Sequence, residues 1–123
     1  MPDAPEPDRI WIRGLTCRTY IGVEDWEQRE RQEVRIDIEI ETRTGPAGET
    51  DHIDDTVNYR TVSKRTLALV EENRFALVEK LAEQVCGMIL REFPGADAVT
   101  LTVAKPGALR FADSVGVRIV RRR

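Results

Sequence analysis

Histidine is almost missing from this 123-residue chain, and that scarcity removes most transition-metal chemistry at once. His52 is the single imidazole and stands in an acidic stretch, where it reads as a surface residue. Neither Cys17 nor Cys86 has a second ligand at metal-binding spacing, so no zinc site of the usual kind can be assembled. The two cysteines lie far apart in apolar surroundings with no CxxC, which suits reduced, buried thiols. No GxGxxG, Walker-type or GxSxG segment offers a nucleotide cradle or a serine nucleophile. No cofactor is implied.

No apolar run approaches the roughly 20 residues that a membrane span requires. A net charge of −3 and a pI near 5.3 exclude a general nucleic-acid binder, which needs a basic face to neutralise phosphates. The terminal Arg121, Arg122 and Arg123 form the one basic run and read as a solvated tail. Residues 1–8, rich in proline and acid, lack the apolar centre of a signal peptide and read as a frayed arm. The expectation is a soluble, cytoplasmic protein with a single domain over residues 9–123.

What is present is a clear alternation of strand and helix patterns. Ile10, Ile12 and the Thr19, Tyr20, Ile21 stretch predict a first strand, interrupted near Gly14 and ending at Gly22. Over residues 33–42, Val34, Ile36, Ile38 and Ile40 alternate with Arg35, Asp37, Glu39 and Glu41, as in a half-buried antiparallel strand. Gly45, Pro46 and Gly48 break that pattern, and with the acidic residues 51–55 they predict a loop. Helical spacing follows over residues 60–73 and 76–93. In the second helix Leu77, Leu81, Val85, Met88 and Ile89 form the core stripe. Val99, Leu101 and Val103 mark a third strand that stops at Lys105, and Val115, Val117 and Ile119 a fourth.

The order β-β-α-α-β-β predicts an α+β fold, a four-stranded antiparallel sheet with two helices on one face. Its two open edges invite pairing with further copies, and a ring of subunits would cover them.

Only three lysines stand among sixteen arginines. Lys64 and Lys80 belong to helix surfaces. Lys105 sits at a strand end before Pro106 and Gly107, where a side chain can project into a cleft from a rigid support. By spacing alone, the plainer reading of Lys105 is a strand-end lysine facing water.

Several short segments change that balance. Residues 19–23 (Thr-Tyr-Ile-Gly-Val), Asp25-Trp26-Glu27, Val57-Asn58-Tyr59, residues 75–79 (Phe-Ala-Leu-Val-Glu), residues 105–108 (Lys-Pro-Gly-Ala) and Val115-Gly116-Val117 follow one another in an order that resembles the dihydroneopterin aldolases, over about nine-tenths of the chain. The resemblance implies the tunnelling fold, in which the sheets of several subunits close into a barrel, with homo-tetramers that stack into homo-octamers and active sites between neighbours. It implies a pterin substrate and a place in folate biosynthesis. It also implies catalytic roles for Lys105 as general acid/base and for Tyr59 and Glu27 beside it, with Glu79, Val78 and Val57 binding the pterin. A carboxylate at Glu79 suits two parallel ring donors. Taken alone, Glu79 and Glu27 are solvated acids, and Tyr59 is a half-buried aromatic at a helix start.

The implied reaction is retro-aldol cleavage of 7,8-dihydroneopterin by general acid–base catalysis, with no metal and no Schiff base. Residues 58–62, 71–75 and 108–115 lean instead toward the sister activity, a dihydroneopterin triphosphate 2'-epimerase. In that case Arg110 becomes a candidate phosphate ligand, against its plainer reading as a solvated loop arginine. A third reading is a non-catalytic pterin-binding ring protein.

Overall fold

The structure is a computed structural model that describes residues 6–123. Strand β1 (Arg9–Ile21) pairs antiparallel with β2 (Gln32–Glu41). β2 pairs with β4 (Ala98–Pro106), and β4 with β5 (Ser114–Arg122), so that these four strands form an antiparallel sheet. The expected four strands gain a fifth: β3 (Arg74–Phe75) runs parallel to the end of β1, pairing with Tyr20 and Ile21, and the full order is β3-β1-β2-β4-β5. Two residues carry no periodicity, which is why the pattern passes over them.

The alternation in β2 does what it predicts. Val34, Ile36, Ile38 and Ile40 are at most 1% exposed, on the face covered by α2 (Tyr59–Glu71) and α3 (Val78–Glu92). Val99, Leu101 and Val103 of β4 join them, facing Val62 and Val70 from α2 and Leu81, Val85, Met88 and Ile89 from α3. Burial of so many branched chains is the main favourable term for a domain of this size. Asn58 caps α2, its side-chain oxygen accepting from the amides of Arg60 at 3.0 Å and Thr61 at 3.4 Å. Leu77, expected in the core stripe, is instead the residue that precedes the first turn of α3, and it is about half exposed.

The interruption near Gly14 is a bulge rather than a break. The β1–β2 register shifts between Ile12 and Leu15, Gly14 takes φ +69°, and its amide donates to Asp37 at 2.7 Å. Where a loop is expected after β2, a short helix α1 (Gly45–Thr50) forms. Pro46 lies in its first turn, where no backbone donor is needed, and Asp51 ends it in the left-handed region with its amide on the Ala47 carbonyl.

Asp8 and the last three residues are tied down more firmly than composition suggests. Residues 1–5 of the expected arm lie outside the described residues. Asp8 is anchored, its carboxylate accepting from the Thr44 hydroxyl at 2.8 Å. The C-terminal arginines are not a free tail: Arg121 pairs with Glu83, Arg122 with Glu41, and Arg123 donates to the carbonyls of Phe93 and Ala96. No helix among the described residues is long and apolar enough to cross a membrane.

Candidate functional site

The segment after β1 turns sharply at Gly22, which takes φ +135°, a backbone state that L side chains rarely adopt. A single turn of 3-10 helix at Trp26–Gln28 then brings Glu27 back beneath Gly22. A Cβ on Gly22 would overlap the Glu27 carboxylate, so the glycine makes room for the acid as well as for the turn. Glu27 is 9% exposed, the most buried carboxylate among the described residues. One of its oxygens accepts from the Glu24 amide at 3.2 Å. The other accepts from Gln32 Nε2 at 3.3 Å and from Lys105 Nζ at 2.9 Å.

Lys105 reaches this carboxylate from the far end of β4. Its Nζ also approaches the Ile21 carbonyl at 3.4 Å, an oxygen that accepts from Gln32 Nε2 at 2.7 Å. The ammonium and carboxylate side chains are 14% and 11% exposed. Lys64 and Lys80, by contrast, are exposed on their helices. The hydrogen bond from Lys105 is the chief cause that holds the Glu27 carboxyl below its ordinary value of 4.5; burial opposes it, and the Glu24 and Gln32 donors reinforce it. The result is a nearly dry, hydrogen-bonded ion pair at one end of the sheet.

Two glutamines that carried no signal in the pattern complete this end. Gln32 bridges the two acceptors of Lys105, and Gln28 Nε2 clamps the carbonyls of Gly22 at 2.7 Å and Phe75 at 3.0 Å. Gln32 could be noticed only as the first residue of a strong strand, and Gln28 only as the residue after Glu27.

α3 starts just past β3, so Glu79, in its first turn, lies at the same end as the ion pair. Glu79 is exposed, and α3 begins without a side-chain cap, leaving its first amides unfilled. Val78 is half-buried against the core. An open hollow of about 350 Å³ is lined by Gly22, Val23, Gln28, Arg74, Phe75 and Ala76.

Tyr59 and Val57 are elsewhere. They line a cleft of about 570 Å³, beside Arg9, Ile10 and Trp11 at the beginning of β1. Ten residues of β1 separate Trp11 from Ile21, roughly 30 Å at the usual rise per residue. One small substrate cannot touch both ends of one subunit. Tyr59 is 61% exposed, so it is not the half-buried aromatic of the plainer reading, whereas the Val57 side chain is in the core and can offer a ligand only its backbone. Arg110 lies in the exposed loop between β4 and β5, its guanidinium 5.4 Å from the Phe111 ring centroid.

His52 is exposed, and no group of three His, Cys, Asp or Glu side chains is placed to hold a metal among the described residues. Cys17 and Cys86 are free and buried. Burial, helped by Glu71 at Cys17 and Glu83 at Cys86, pushes their thiols up to about 12 and about 11, out of nucleophilic range near neutral pH.

Replacing Gly22 by Ala drives a methyl group into the Glu27 carboxylate, and the expected result is a stability loss of about 2 kcal/mol or more in chemical denaturation. A loss under about 0.5 kcal/mol would mean the carboxylate has room to move.

The depressed Glu27 value sets a second expectation. Its contribution to stability is complete above pH 4.5, and it is lost as the pH falls from there through the lower folded-state value. Denaturation midpoints measured from pH 6 to pH 3 should therefore fall more steeply in the wild type than in Glu27→Gln; parallel curves would contradict the buried pair.

Comparison with known proteins places this geometry in a family. The family model for FolB, dihydroneopterin aldolase, matches residues 10–120. The chain is 38% identical over 114 residues to the dihydroneopterin aldolase of Escherichia coli, covering 93% of each chain. It is 36% identical over 119 residues to the dihydroneopterin triphosphate 2'-epimerase of Pseudomonas aeruginosa, covering 97% of this chain and 96% of the other. The crystal structure of the Escherichia coli aldolase in complex with neopterin superposes with a TM-score of 0.90 at 38% identity, over 93% of this chain and 98% of that one. The chain belongs to the dihydroneopterin aldolase family.

Proposed function

We propose that the protein cleaves the side chain of 7,8-dihydroneopterin by a retro-aldol reaction, releasing 6-hydroxymethyl-7,8-dihydropterin and glycolaldehyde. The observation that carries this reading is the Lys105–Glu27 pair at 2.9 Å, two nearly buried ionic groups held at the end of a sheet where no packing need calls for them. Burying charge is costly, and a partly desolvated lysine with a fixed partner is the equipment of proton transfer.

The substrate carries its own electron sink. The bond to be broken lies next to the ring carbon of a C=N group, so the electron pair released by scission flows into the ring nitrogen. The protein has to take the proton of the side-chain hydroxyl, protonate the ring nitrogen, and then protonate the enamine carbon while the ring N–H gives its proton back and the C=N bond re-forms, all general acid–base steps. Lys105 Nζ carries protons to and from the reacting end. Glu27 and Gln32 hold Lys105 and order water beside it. Glu79 accepts from the amino group and ring N–H of the pterin, next to the open first amides of α3, and Val78 borders that pocket.

Tyr59 acts from a neighbouring subunit. Its exposure and its distance from Lys105 within one chain both support a site built from two chains, with the Val57 backbone closing the same wall. The outer edge of β5 and the part of the β1 edge before Tyr20 supply the means, since strand pairing between copies would bring the beginning of one sheet to the end of the next. The assembly is then a homo-tetramer or homo-octamer.

A second reading, epimerisation of the triphosphate at the side-chain carbon, is favoured by one observation: relatives named for each activity match this chain at 36–38% identity. Both reactions pass through the same cleavage, and they differ in whether the aldehyde leaves or adds back.

Lys105→Ala should lower turnover of dihydroneopterin by about two to four powers of ten, measured as glycolaldehyde release. Near-normal turnover would remove Lys105 from the mechanism. Mixing inactive Lys105→Ala and Tyr59→Ala subunits, followed by unfolding and reassembly, should restore part of the activity, because some interfaces then unite an intact Lys105 with an intact Tyr59. No recovery would refute a shared site.

A further inference from the structure

Two arginines from separate segments lie over one aromatic ring near the Lys105 end, and a third is hydrogen-bonded to one of them. Tyr20 of β1 carries the Arg74 guanidinium 3.9 Å from its ring centroid and the Arg31 guanidinium at 5.3 Å. Arg18, two residues before Tyr20 on the same face of β1, donates to the Arg31 carbonyl at 2.9 Å, and Arg74 donates to the Gln28 carbonyl at 2.6 Å. All three arginines are exposed. None has a carboxylate within ion-pair distance among the described residues, although Glu33 stands opposite Arg18 across the ladder; Glu33 pairs with Arg35 at 3.2 Å instead.

Like charges drawn together repel, and the ring face and two carbonyls only partly offset that. Each guanidinium has five N–H donors, and the contacts just named use one from Arg18 and one from Arg74. The remaining donors form a multidentate surface of the kind that suits phosphate oxygens.

Position supplies the second half of the argument. Tyr20 and Arg74 are register partners, and the next pair along is Ile21 and Phe75. The Ile21 carbonyl is the one that Lys105 approaches, and the Phe75 carbonyl takes the Gly22 amide at 3.0 Å. The arginine cluster therefore begins one residue before Ile21, whose carbonyl Lys105 approaches, on the opposite face of β1.

We propose that Arg18, Arg31 and Arg74 form a polyphosphate-binding subsite that takes the phosphate ester of a phosphorylated pterin side chain. The inference rests on the pterin reading of the Lys105 site, and it assigns phosphate recognition to the Tyr20 cluster rather than to Arg110. It concerns which substrate is held, not whether the aldehyde leaves or returns.

The test pairs two readouts on the wild type, on the double variant Arg18→Gln/Arg31→Gln, and on Arg110→Gln. Arg74 is left intact because it also braces Gln28. In calorimetry, inorganic tripolyphosphate should bind the wild type and bind the double variant at least about tenfold more weakly, the loss of one or two charge-assisted contacts. In steady-state assays the double variant should lose at least about tenfold in kcat/KM on dihydroneopterin triphosphate, while unphosphorylated dihydroneopterin stays within about twofold. Absence of tripolyphosphate binding to the wild type, equal losses on both substrates, or a selective loss confined to Arg110→Gln would each overturn the proposal. If the wild type turns over neither pterin, the reading of the Lys105 site fails, and the tripolyphosphate titration still decides the cluster. Should the double variant misfold, each single variant is expected to weaken tripolyphosphate binding by about threefold or more, and no weakening in either would reject the subsite.

Discussion

A nearly dry ion pair cannot be left half-made, and much of this end of the subunit is arranged around that constraint. Removing either partner of a buried pair strands a charge, a penalty of about 3–5 kcal/mol when burial is complete. Glu27 is therefore held redundantly: the Glu24 amide, Gln32 and Lys105 all donate to it. Gln32 belongs to the strand that begins just there, and Gly22 gives up its side chain so that the carboxylate can lie against the backbone. The short β3 follows from the same turn, since the Gly22 amide and the Gln28 side chain both bond the Phe75 carbonyl and fix where α3 starts. The geometry of the candidate site and the local fold are set by one group of contacts.

How much of this could be read in the chain depends on how local each cause is. The β2 alternation is legible because one face of a strand is buried along its whole length, and the two long helices because their residues recur at helical spacing. Lys105 stood out for its strand-end place and its rarity. The burial of Glu27 was not legible, because it depends on a lysine 78 residues away, and a charged run offers no hint that one of its members turns inward. α1 was hidden by Gly45, Pro46 and Gly48, residues that break helices in the middle yet are tolerated in a single opening turn. The arginine tail looked free because its partners, Glu41, Glu83 and two carbonyls, come from elements packed against it only after folding.

The candidate residues divide in a way that single-chain reasoning cannot anticipate. Lys105, Glu27 and the start of α3 occupy one end of the sheet, Tyr59 and the larger cleft the other, and each hollow is open on its own. A chain of this size that lacks a closed pocket has two ways to exclude water from chemistry, a lid or a neighbour. The connections that could serve as a lid are pinned among the described residues: residues 22–31 by the Glu27 and Gln28 hydrogen bonds, and residues 42–58 by the Thr44–Asp8 and Thr50–Asp55 contacts. The β5 edge, however, is long, and the β1 edge is unpaired up to the point where β3 joins it. A neighbour is the route this fold leaves open.

Charge distribution carries the argument a step further. The chain is acidic overall, with a net charge of −3, so a polyanionic substrate meets no general attraction. On the proposed subsite, recognition of phosphate has to be local, through donors fixed in place before the substrate arrives. Arginine meets that need better than lysine, because its planar fork loses less freedom on binding and can rest on an aromatic face without losing its in-plane donors. On the proposed reading, Arg31 and Arg74, resting on Tyr20, and the one partly buried lysine divide the work between them. Lysine serves where a proton has to move, and arginine where a charge has only to be held.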